Sequence, residues 1–104
     1  MTDLEHHYER EGPAPLVRAF FYVLRHLLKE KGFRESFEHS TPGGPDSYGF
    51  IRDEDQITVE MRSSGPGVLI ISVESTVPLR PILREALGAY LEGIRVLLNV
   101  DPGL

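Results

Sequence analysis

The stretch QITVEMRSSGPGVLIISVESTV, residues 56–77, decides the fold. Its first seven residues alternate. Ile57, Val59 and Met61 fall on one side, and Gln56, Thr58, Glu60 and Arg62 on the other. That period of two marks a strand with one buried face. SSGPG then breaks the pattern and reads as a turn. The run that follows is apolar on both faces, with Val68 and Ile70 opposite Leu69, Ile71 and Val73. A strand of that kind is expected to be central or doubly covered.

Upstream, SYGFIRD (47–53) reads as a strand joined to QITVEMR by the acidic turn Asp53-Glu54-Asp55. FRESFEHS (33–40) is another, with Phe33, Glu35, Phe37 and His39 expected on one side. TPGGPD, residues 41–46, carries too much proline and glycine for a strand and is expected as a loop. From Leu16 to Lys31 the period changes. Leu16, Phe20, Val23, Leu24, Leu27 and Leu28 recur at helical steps, after Pro13 and Pro15 and before Gly32. Pro78 ends the last strand, and Pro81 opens a second helix reaching about Val100.

The expected fold is therefore α+β. It is a two-layer sandwich of N-terminal helix, four-stranded antiparallel meander and C-terminal helix, with both helices on one sheet face. Residues 1–12 lack any apolar period and end in Gly-Pro, so they are expected to be a mobile acidic tail. Residues 13–104 form the expected single domain.

The bulk numbers narrow the function. The chain has 104 residues, no cysteine and a formal charge of -5. Without cysteine there are no disulfides, thiolate nucleophiles or cysteine-based zinc sites. Together with the lack of any signal-like apolar segment, this leads us to expect a cytoplasmic protein that does not enter a membrane. An acidic domain is a poor general nucleic-acid binder. The helix–sheet–helix order is related to that of double-stranded RNA-binding domains. Its last helix, however, opens with VPLRPILRE, not the cations that meet phosphates.

Catalytic signatures are missing as well. His6, His7, His26 and His39 show no HExxH spacing, so no metal site or cofactor is expected. The glycine loops lack the lysine of a phosphate loop, and there is no GxSxG elbow.

Two surfaces stand out. Residues 15–34 carry a net +4 within an acidic chain. Arg18, Tyr22, Arg25 and Lys29, at i, i+4, i+7 and i+11, form a basic line along the first helix, a candidate partner-binding surface. The second helix has an apolar arc of roughly 220°, about twice what one sheet face requires. Ile82, Ala86, Ala89, Gly93 and Val96 lie in that arc and are candidates for self-association as a homodimer.

The expected function is a protein-binding module of adaptor, chaperone-like or immunity/inhibitor type. The alternative is a small-molecule or enzymatic domain, with a pocket lined by His39, Tyr48 and Tyr90.

Overall fold

In the computed structural model the structure describes residues 6–100, with side chains described for residues 6–92. The hairpin of residues 56–77 lies within the sheet as β4 (Asp55–Gly65) and β5 (Val68–Ser75). Its connection is Pro66-Gly67. Proline suits the first turn position, and Gly67 takes φ of 71°, which side-chain-bearing residues rarely adopt. β3 (Asp46–Arg52) pairs with β4, and β2 (Arg34–Ser40) pairs with β3, all antiparallel. The meander expected from the sequence is present.

The strand count is corrected. The sheet has five strands, in the order β1-β5-β4-β3-β2. The fifth is β1 (His6–Pro13), which runs antiparallel beside β5 with Tyr8 opposite Val73. Residues 6–12 are expected from the sequence as part of a mobile tail because they lack any apolar period. Backbone pairing with β5 places them in the sheet nonetheless. The rest of the expected tail, residues 1–5, lies outside the described residues.

β1 and β2 are the two edges, so the connection between them must cross the sheet. Four strand spacings span about 19 Å. α1 (Ala14–Glu30) makes that crossing with 17 residues, about 25 Å of helix. Its start is pinned by the Ala14 N–H donating to the Gly67 carbonyl at 2.9 Å. Its end is closed by the Phe33 N–H donating to the Leu28 carbonyl, also at 2.9 Å. α2 (Arg80–Val100) follows β5 and packs against α1.

One sheet face supplies Phe50, Ile57, Val59, Met61, Leu69, Ile71 and Val73 to a single core. Above them sit Val17, Phe20, Phe21, Leu24 and Leu28 of α1, and Ile82, Leu83 and Ala86 of α2. The other face carries Thr58, Glu60, Arg62, Ser72 and Glu74, half-buried or exposed. A bulge between Glu35 and Phe37 breaks the expected alternation of β2. It puts Glu35 opposite Phe50, on the covered face, and Phe37 opposite Gly49, on the open one. There the Phe37 ring lies over Gly49, where a Cβ would come within 2.3 Å of it.

Candidate functional site

The sheet's β1 edge is incompletely roofed. α2 passes along it, and between them lies a groove of about 750 Å³. Its floor is Tyr8, Leu79, Leu83 and Leu87, its outer lip is Leu91, and its rim holds His6, His7, Arg80 and Arg84. A second hollow of about 410 Å³, towards α1, adds Leu16, Phe20 and Tyr90. The two hollows share Tyr8, Leu87 and Leu91, so they form one continuous apolar trough.

Its outer lip stays in water. Leu91 is 60% exposed and Leu16 49%. Among the described residues, neither Arg80 nor Arg84 has an ion-pair partner. The nearest acid along α2, Glu85, pairs with Lys31 of the α1 terminus at 2.8 Å.

The opposite edge is closed by charge and rings together. Arg25 turns inward from α1 and meets the β2 carboxylate of Glu35. Its guanidinium also lies 5.7 Å from the Tyr48 ring and 6.0 Å from that of Phe21. Tyr48 and Phe21 stack with centroids 4.4 Å apart. Arg25 Nε and Glu35 Oε1 are both out of solvent and lie against one another as an ion pair. The contact with Glu35 raises the Arg25 pKa, with burial opposing it. Burial raises the Tyr48 pKa, so that phenol stays neutral in ordinary conditions. Nearby, Arg52 donates to the Lys31 carbonyl at 2.9 Å, pairs with Asp55 at 3.0 Å and lies over the Phe33 ring.

A third cluster sits on the open face. Ser72 donates to Glu9 at 3.0 Å, and Arg62 reaches Glu9 at 3.4 Å and Glu60 at 3.5 Å. His7 lies 3.7 Å from Glu74. These contacts knit β1 to its neighbours. The hydrogen bond from Ser72, then that from Arg62, hold the Glu9 carboxyl below its ordinary 4.5. Glu60 lies opposite Ser72, and Glu74 opposite Thr58, so the two glutamates do not face one another. The described His, Asp and Glu side chains form no group of three able to hold a metal ion.

The residues singled out in the sequence are spread over several places. Arg18, Tyr22 and Lys29 are exposed on α1, Tyr22 by 62%, while Arg25 folds away from that line. His26, at its edge, pairs with Glu30 at 2.7 Å. Ile82 and Ala86 are buried within the chain. Ala89 is exposed, and Gly93 and Val96 lie beyond the residues whose side chains and burial are described. His39, Tyr48 and Tyr90 do not meet. His39 contacts Thr41 at 3.0 Å, Tyr48 packs on Phe21, and Tyr90 meets Phe20 edge-on at 6.1 Å.

Sequence reasoning missed the groove's own residues. Tyr8 lay in a segment expected to be a tail. Leu87 and Leu91 belonged to the surplus apolar arc, but nothing in the sequence separated them from the buried Ile82 and Ala86.

No known protein-family profile matches the chain, and no curated protein sequence matches it. Among the described residues, no helix is long and apolar enough to cross a membrane.

Proposed function

We propose that the protein is a binding module for another protein, and that the trough between β1 and α2 is its working site. One observation carries this reading. An apolar floor is left open beneath a helix whose outer leucine, Leu91, is 60% exposed. Apolar surface that stays in water forgoes about 25 cal/mol per Å² of stabilisation, which a partner recovers by covering it. The trough also collects aromatic and arginine side chains, Tyr8, Tyr90, Arg80 and Arg84, the types that anchor protein contacts.

The basic line of α1 is a weaker site than its spacing suggested. Arg25 is committed to Glu35, which leaves Arg18, Tyr22 and Lys29 on a solvated helix face. Self-association is a special case of the same site, with a second copy as the partner. The lack of cysteine fits work in a reducing compartment, and we place the protein in the cytoplasm on that ground.

The test is a peptide-display selection on the wild-type chain, counter-screened on Leu91→Asp and Leu16→Asp. Both leucines are exposed, so these variants keep the core intact. Peptides that bind the wild type and lose binding to either variant support the site. Selected peptides indifferent to both, but released by Arg18→Glu with Lys29→Glu, would move the site to α1.

A further inference from the structure

Resting on that reading of the trough, we infer that its occupant is an amphipathic helix of a partner protein, with an apolar stripe and carboxylates about one turn away. Two residues of α2, Arg80 and Gly88, weaken the helix locally, and both line the trough together with Arg84. Arg80 stands at its positive end, where a cation is unfavourable, and its first turn contains no acid to offset it, while Arg84 adds a second cation just beyond that turn. Gly88 lies in its interior, where glycine is about 1 kcal/mol worse than alanine. Among the described residues nothing explains Gly88, since a Cβ built there has no atom within 4 Å. Local costs that bring no internal return mark places where something external docks.

Each cost matches one property of the occupant. The two arginines and the helix N-terminus together favour an anion. The whole chain is acidic at -5, yet the groove between β1 and α2 is lined by Arg80 and Arg84 and by no carboxylate among the described residues. The missing side chain at Gly88 lets another helix come close over Leu87 and Leu91. Arg84 and Gly88 are four residues apart, about 6 Å along the axis, which sets the carboxylate-to-leucine spacing. An added β-strand fits less well, because β1 presents Glu9, Arg10 and Glu11 and ends in Pro13, which blunt edge pairing.

The experiment titrates the full chain into a fluorescein-labelled helical peptide of leucine and glutamate at that spacing. Its twin has lysine for every glutamate. Anisotropy is read at low and high salt. The expected result is at least ~10-fold tighter binding of the acidic peptide, weakened by salt, as for complementary charges. Arg80→Glu with Arg84→Glu should reverse the preference, and Gly88→Trp should abolish binding of both. Equal binding of both peptides, lost with Gly88→Trp, overturns the acidic occupant but keeps the trough. Binding untouched by Gly88→Trp and Leu91→Asp overturns the trough itself. No binding of the acidic peptide at about 1 mM overturns the inference. So does a homodimer, seen by light scattering, that Gly88→Trp converts to monomer, because the occupant would then be a second copy.

Discussion

The two edges of the sheet are built from similar materials and finished differently. At the β2 edge an arginine, a glutamate, a tyrosine and a phenylalanine close on one another, with Arg25 over Tyr48 and against Glu35. At the β1 edge two arginines, a tyrosine and four leucines stand around a trough and do not close. The first set satisfies its charges inside the chain. The second leaves cations and apolar surface without a partner among the described residues. A chain of 104 residues has limited core to give, and the proposed binding site rests on this edge being left open.

The largest effect should come from the closed side. Phe21→Ala removes a side chain only 1% exposed and should cost about 3–5 kcal/mol in urea unfolding. Leu91→Ala, at the open side, should stay within about 0.5 kcal/mol. Similar losses at both would erase the distinction between the edges.

Next comes the charge at each edge. Arg25→Ala leaves the Glu35 carboxylate half-buried without its partner, and should cost about 1–3 kcal/mol. Arg84→Ala removes a cation with no partner among the described residues and should be nearly silent in the same assay.

A smaller effect has the opposite sign. Gly88→Ala should raise stability by up to about 1 kcal/mol, read as a higher Tm, while weakening peptide binding. A stabilised variant that binds as well as the wild type would leave Gly88 without a role.

The smallest concerns how β1 is held. The Glu9 carboxyl titrates below its ordinary 4.5 in the folded chain, so its contribution is present above that pH. The contribution is lost as the pH falls through the folded pKa. The wild type should therefore lose more stability on acidification than Glu9→Gln does. Equal losses would mean that Ser72 and Arg62 do not help to hold β1.

Much of this molecule was legible in its sequence. The period of α1 put Phe20, Leu24 and Leu28 inward, and the alternation of β4 buried Ile57, Val59 and Met61. β1 was not legible, because its inward positions are His6, Tyr8, Arg10 and Gly12, and backbone pairing leaves no apolar pattern. The β2 bulge was also hidden. It turned Phe37 to the open face and brought Glu35 to Arg25. Spacing alone placed Arg25 with Arg18 and Lys29. A long side chain can fold its stem back over a ring and carry its charge elsewhere. The surplus of apolar residues on α2 was visible, but its division was not. How far α2 is rotated on the sheet decides that Ala86 is buried and Leu91 exposed.

The most direct test of the central claim is amide chemical-shift mapping of the isotope-labelled chain as the acidic helical peptide is added. The account predicts shifts concentrated at Tyr8, Arg84, Leu87, Gly88 and Leu91, with Arg18, Tyr22 and Lys29 unchanged. Shifts confined to Arg18, Tyr22 and Lys29, with the trough silent, would contradict it.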